Sequence, residues 1–220
     1  MVSQADSVIL LHGLARSDRS MSKLKQALLK KGYRVHNVSY ASTRNKIEQL
    51  AEEAIGPALK LCPAEHKVHF VTHSLGGILV RQYLSRHEID NLGRVVMLGP
   101  PNKGSEVVDK LHDFPGFRFI NGEAGLELGT GESSVPCKLG AANFDLGIIA
   151  GTRSVNLILS RMIPGPDDGK VSVENTRLEG MHDHLKMKVT HPFMMRNSKV
   201  IEQVIHYLET GRFSPVSSKG

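Results

Sequence analysis

Compact apolar runs alternate along the chain with stretches in which apolar residues return every third or fourth position. Val8 to Leu11, Val68 with Phe70 and Val71, Arg94 to Leu98, and Leu146 to Ala150 are runs of the first kind and read as buried strands. Tyr33 to Tyr40 and His184 to Val189 alternate apolar with polar residues, as half-buried strands do. Between them, four sets trace single helix faces: Met21, Leu24 and Leu28; Ile47, Leu50, Ala54, Ala58 and Leu59; Leu75, Ile78, Leu79 and Tyr83; and Val200, Ile201, Val204, Ile205 and Leu208. A short helix is expected to run from Ser105 through Leu111. Gly32 and Gly211 stand where helices end. Gly56-Pro57 predicts a kink or an early stop in the second helix, and the tail from Phe213 is expected to fray.

Strands that alternate with helices imply βαβ crossovers. The expected architecture is therefore an α/β fold with a mainly parallel central sheet and helices on both faces. Its ligand site belongs at the carboxyl ends of the strands. A chain of 220 residues fits a single domain spanning 1–220. The least regular segment is 112–143, with six glycines and the cluster Phe114, Phe117, Phe119 and Ile120. That cluster reads either as a cover over the core or as the wall of a substrate pocket in a small insertion.

Composition narrows the class. Hydrophobic residues at 40% and charged residues at 23% are those of a soluble globular protein, and no window approaches the roughly 18 apolar residues of a membrane span. Met1 to Ser7 is polar, so no export segment is expected. Cys62 and Cys137 have no metal-ligand or C-x-x-C spacing, which favours free thiols and a cytoplasmic location. The net charge of +6 and pI of 9.4 permit contact with anionic surfaces. The basic residues are dispersed, however, apart from Lys23, Lys25, Lys30 and Lys31 on one helix. No nucleic-acid module is expected, and membrane-surface contact rests only on the charge and the phenylalanine cluster.

The chemistry gathers around Lys67 to Tyr83, K-V-H-F-V-T-H-S-L-G-G-I-L-V-R-Q-Y, in which Ser74 sits between a strand and a helix. A serine at such a corner is thrust outward with the helix amides behind it, and small neighbours let strand and helix pass closely. Gly76 and Gly77 supply the small residues after it. Thr72 replaces the first glycine of the G-x-S-x-G pattern. A serine hydroxyl needs an imidazole to take its proton and a carboxylate to orient that imidazole. Asp168 and Asp167, in the loop after the Leu146 strand, compete for the acid. His191, between the last strand and the last helix, competes with His182 and His184 for the base. His182-Asp183-His184 reads as a solvated turn rather than a metal site, because three adjacent loop residues cannot close a four-ligand shell. The amides of Leu75 and of Leu14, in His12-Gly13-Leu14, are placed to meet negative charge on a substrate oxygen.

These residues resemble the α/β-hydrolase superfamily, and within it the bacterial lipase and esterase branch. The resemblance rests on L-L-H-G-L at Leu10 to Leu14, V-T-H-S-L-G-G at Val71 to Gly77, G-P-P-N-K-G-S-E at Gly99 to Glu106, D-D-G-K-V at Asp167 to Val171, and V-T-H at Val189 to His191. It implies an α/β-hydrolase fold with a minimal cap and a serine hydrolase that cleaves carboxylic esters. Ser74 would be the nucleophile, Asp168 the acid, His191 the base, and the Leu14 and Leu75 amides the oxyanion hole. It implies a small-molecule ester or acyl substrate, no cofactor and no metal. Thioester cleavage, acyl transfer and a non-catalytic binding module on the same scaffold are the competing expectations.

Overall fold

A computed structural model of the chain describes residues 6–114, 116–155, 160–161 and 163–215, with the side chains at 117, 118 and 120 outside that description. The elements in order are β1 (Ser7–Leu11), α1 (Ser22–Lys30), β2 (Arg34–Val38), α2 (Ile47–Leu59), β3 (Val68–His73), α3 (Leu75–Leu84) and β4 (Leu92–Leu98). There follow α4 (Glu106–Leu111), α5 (Phe117–Leu126), α6 (Val135–Lys138), β5 (Leu146–Gly151), α7 (Val173–Thr176), β6 (Asp183–Met187) and α8 (Ser198–Thr210). Among the described residues, six strands form one sheet in the order β2-β1-β3-β4-β5-β6, and every pairing is parallel.

The apolar runs explain this arrangement. A parallel sheet is covered on both faces, so both sets of alternating side chains must be apolar. On β1, Ile9 and Leu11 enter the core shared with α2 and α3, while Val8 and Leu10 enter the core shared with α1 and α8. β4 divides likewise, Val95 and Met97 to one side, Val96 and Leu98 to the other. The alternating segments became the edge strands β2 and β6. Each is shorter than its alternation suggested, β2 ending at Val38 and β6 at Met187. Among the described residues no helix is long and apolar enough to cross a membrane.

Several expectations need correction. α2 runs through Gly56-Pro57 and stops at Leu59, because the proline ring forfeits one backbone bond near an end that was due within a turn. The segment 112–143 is partly helical, with α5 interrupted at Gly122 (φ 63, ψ −168), where a β-carbon would strike the Thr43 backbone. The tail does not fray at Phe213. That ring lies 4.8 Å from Tyr207, its N–H donates to Asp183 Oδ2 at 2.9 Å, and Ser214 pairs with Gln203. The turn-rich stretch 162–170, read from its Pro, Gly and Asp residues as a loop, carries Asp167 and Asp168, and its residue 162 lies outside the described residues.

Five histidines, His12, His36, His69, His73 and His184, have pKa values lowered first by desolvation. For His184 the value falls to about 4. Its Nε2–H donates to Thr176 Oγ1 at 2.9 Å, since the Thr176 hydroxyl hydrogen is given to the Val173 carbonyl. Each of these groups binds a proton more weakly in the folded chain than in the unfolded one, so stability rises with pH across the interval between the two values. Thermal melts should show a steady midpoint above the ordinary value of 6.5 and a falling one as pH drops below it. His184→Gln, which keeps a donor for Thr176, should make that fall shallower.

Candidate active site

Ser74 separates the end of β3 from the start of α3 with φ 51 and ψ −119, a left-handed conformation that costs a non-glycine residue about 1 to 3 kcal/mol. Its N–H donates to the Leu98 carbonyl at 2.9 Å and its carbonyl accepts from Gly77 N–H at 3.0 Å, which pins both sides of the corner. Gly76 is needed for close approach: a β-carbon there would lie 2.6 Å from the Leu11 carbonyl oxygen. Thr72, in the place of a glycine, is fully buried in register with Leu11 and Met97. The branched side chain therefore packs within the sheet, at the expense of a buried hydroxyl with no partner among the described residues.

Asp168 and His191 come from separate loops at the carboxyl end of the sheet. His191 Nδ1 lies 2.7 Å from Asp168 Oδ2, and the His191 N–H donates to the Asp168 carbonyl at 2.9 Å. The other carboxylate oxygen, Oδ1, accepts from the amides of Lys170 and Val171, each at 3.0 Å, and the residue is fully buried. The acceptor capacity of Asp168 is thus filled in one orientation, which leaves His191 Nδ1 as the donor and Nε2 as the free base. Gly99 passes directly behind the pair with φ 54, and a β-carbon there would sit 2.9 Å from Asp168 Oδ2.

The rivals are otherwise engaged. Asp167 accepts from Ser160 Oγ at 2.5 Å and from Gly169 N–H at 2.7 Å, so it shapes its own turn. His182 lies on the Leu146 amide, and His184 is bound to Thr176. Asp183 caps the backbone of His184 and Phe213.

Ser74, Asp168, His191 and Leu14 line one cavity of about 240 Å³, with Pro101, Val107, Val108, Leu128 and Val155 on its apolar wall. Leu75 opens α3 and its N–H has no carbonyl four residues back. Leu14 is carried by a loop tied down at two points. Ala15 (φ 52) donates its N–H to Ser42 Oγ at 3.0 Å, and Tyr40 stacks on His12 at 4.0 Å while donating to the His12 carbonyl. Phe114 and Phe119 are not in this wall. They are 63% and 91% exposed, and the Phe117 side chain lies outside the described residues. A larger concavity of about 730 Å³ lies at the opposite end of the sheet, where Arg94 lies against Asp145, His69 against Asp6, and Glu209 against Lys31.

Two residues of the site were not foreseen. His73 is buried beside His191, ring centroids 4.8 Å apart, and its Nε2–H donates to the His191 carbonyl at 3.0 Å. Desolvation, then the His191 charge, hold its pKa well below the ordinary value, so it is a neutral brace for the loop carrying His191. The signal was its place before Ser74, where strand alternation turns it to the other face. Arg81 of α3 is also buried, its guanidinium donating to Asn102, Pro136 and Gly140 at 2.8 to 3.2 Å. It ties the helix that follows Ser74 to the loop after β4 and to the segment 112–143. Desolvation lowers its pKa to about 10.

A family model described as palmitoyl protein thioesterase matches residues 7–135, from β1 into α6. No curated protein matches the chain by sequence. Among solved structures, lipase BlEst2 of Bacillus licheniformis in its mature form is 19% identical at a TM-score of 0.70, over 94% of this chain and 93% of that one. The chain spans about half, 52%, of the propeptide form of the same lipase. The metagenomic carboxyl esterase MGS0156 is 16% identical at a TM-score of 0.65, over 87% of this chain and 66% of that one. At these identities the likeness is one of fold, and the fold is that of the lipases and esterases of the α/β-hydrolase superfamily. The family match covers more than half of the chain, which therefore belongs to the palmitoyl protein thioesterase family of α/β-hydrolases.

Proposed function

We propose that the chain is a serine hydrolase that cleaves small carboxylic esters through an acyl-enzyme. The observation that carries the reading is the 2.7 Å contact of His191 Nδ1 with Asp168 Oδ2, in the cavity that Ser74 enters from a left-handed corner. His191 Nε2 takes the Ser74 hydroxyl proton as Oγ attacks the carbonyl carbon. The oxygen's charge is met by the Leu14 and Leu75 amides. His191 then returns the proton to the departing alcohol, leaving Ser74 acylated. Water repeats the sequence: His191 takes its proton, hydroxide oxygen bonds to the acyl carbon, and Ser74 leaves with the proton restored. No step calls for a cofactor or a metal. The free thiols of Cys62 and Cys137 suit a cytoplasmic setting.

The cavity bears on the substrate. Its 240 Å³ falls below the roughly 300 Å³ at which pockets begin to enclose drug-sized ligands, which favours short acyl groups. The family match favours a second reading, thioester cleavage by the same groups, because the acyl-enzyme is indifferent to whether an alcohol or a thiol departed.

Across p-nitrophenyl esters from acetyl to palmitoyl, turnover should be greatest at short chains. Ser74→Ala should lower kcat by roughly 10³-fold or more with an unchanged circular dichroism spectrum, and should abolish fluorophosphonate labelling. Wild-type protein that neither turns over nor labels would point to a binding module. A matched acyl thioester and oxygen ester, compared by kcat/KM, separate the two enzymatic readings.

Asp168→Asn should retain the fold, since Oδ1 can still accept from Lys170 and Val171. It should cost on the order of 10⁴-fold in kcat, because an amide NH₂ now faces His191 Nδ1 and forces the wrong tautomer. Equal kcat in that variant, measured on the best ester, would remove Asp168 from the mechanism.

A further inference from the structure

The cavity beside Ser74 is lined by both apolar and cationic side chains. Arg16 and Lys170 both line it, approaching from the loop after β1 and from the loop that carries Asp168. Among the described residues, neither side chain makes a hydrogen bond to an acceptor or a salt bridge to a carboxylate. The one carboxylate in the cavity wall is Asp168, whose oxygens are committed to His191 and to the amides of Lys170 and Val171. Two positive charges thus line the cavity together with one negative charge that is buried and already bonded.

The two cations also act on each other and on the centre of the site. Lys170 is solvent-exposed, yet its pKa is lowered, first by desolvation and then by Arg16, with Asp168 opposing. The charges of Arg16 and Lys170 both reach His73, the immediate neighbour of Ser74. Like charges brought together without a counterion raise the potential at a low-dielectric mouth and draw in an anion. A guanidinium adds a planar fork suited to carboxylate or phosphate oxygens.

We infer that this site takes an anionic substrate, an ester whose apolar part lies along Val107, Val108 and Leu128 and whose carboxylate or phosphate is held between Arg16 and Lys170. The inference rests on the hydrolase reading given above for the same cavity. The anion belongs either to the far end of the acyl chain or to the leaving alcohol. The cations are the specificity determinants in both cases.

Two matched pairs distinguish these sources. p-Nitrophenyl hexanoate is compared with the p-nitrophenyl monoester of adipic acid, which ends the same six-carbon acyl chain in a carboxylate. Glycerol monobutyrate is compared with its glycerol phosphate counterpart, which puts the anion on the alcohol. In one pair the charged member should have the higher kcat/KM at low salt. Arg16→Gln and Lys170→Gln should each cut that advantage on the order of fivefold, and high salt should shrink it. No advantage in either pair, or an advantage that both substitutions leave intact, would overturn the inference.

Calorimetric binding to Ser74→Ala, with methyl hydrogen adipate against methyl hexanoate and the glycerol phosphate ester against glycerol monobutyrate, separates this inference from the hydrolase reading. Charge-selective binding without wild-type turnover of any ester would keep the anion site and reject the hydrolase. Turnover without charge selectivity in either binding or rate would do the reverse.

Discussion

The left-handed backbone at Ser74 is the constraint on which the rest of the structure turns. A residue with a β-carbon does not stay at φ 51 unless every route away from it is closed. Here the closure comes from the centre of the sheet. β3 lies between β1 and β4, Ser74 N–H is held by the end of β4, and α3 crosses the end of β1 so tightly that only a hydrogen fits at Gly76. Moving the corner would require moving β1, β3, β4 and α3 together, against both cores. The strain is local, while the packing that opposes its release is spread over the molecule.

The partners of Ser74 are held by a different device, a chain of buried hydrogen bonds in place of a crowded backbone. Asp168 satisfies two amides with one oxygen and His191 with the other, its own carbonyl receives His191 N–H, and His73 closes the circuit at the His191 carbonyl. A buried network of this kind is worth having only when each member is satisfied, because an orphaned group in a low dielectric costs about 1 to 3 kcal/mol. His73 nearly meets that standard. Its Nε2 is bonded and its Nδ1 has no partner among the described residues, and the ring's desolvation keeps it neutral where a second cation would repel His191.

The sequence was most legible where a single physical demand determined the residues. The end of β1 and the start of β5 are read to the residue, since a strand covered on both faces is built from apolar side chains, and α8 is read from its stripe and its terminal glycine. The position of Ser74 followed from strand, corner and glycines together. Legibility failed where distant contacts decide. α5 is broken by Gly122 against Thr43, and Glu127 reaches back to the Ile47 amide at 2.8 Å, neither of which leaves a local periodicity. Phe114 and Phe119 looked like a pocket wall because aromatic residues are usually buried, and instead they are exposed. The sequence favours Asp168 over Asp167 without deciding between them, because both suit a turn. What separates them is the partner each meets across space, Ser160 for one and His191 for the other.

The charges around the cavity bear on the reaction as well as on recognition. In the proposed reaction, attack at a carbonyl creates a negative oxygen and proton transfer creates a positive His191, so a field that helps one hinders the other. Arg16 and Lys170 at the mouth favour the oxyanion and oppose the imidazolium. Asp168, in direct contact with His191 Nδ1 at 2.7 Å, opposes them where it matters most, because Coulomb energy falls with distance and the buried pair is poorly screened. Placing the anion against the imidazole and leaving the cations free to solvent in the same cavity lets both developing charges be stabilised at once. That arrangement requires the carboxylate to be buried and the cations to be exposed, which is how the three residues are distributed.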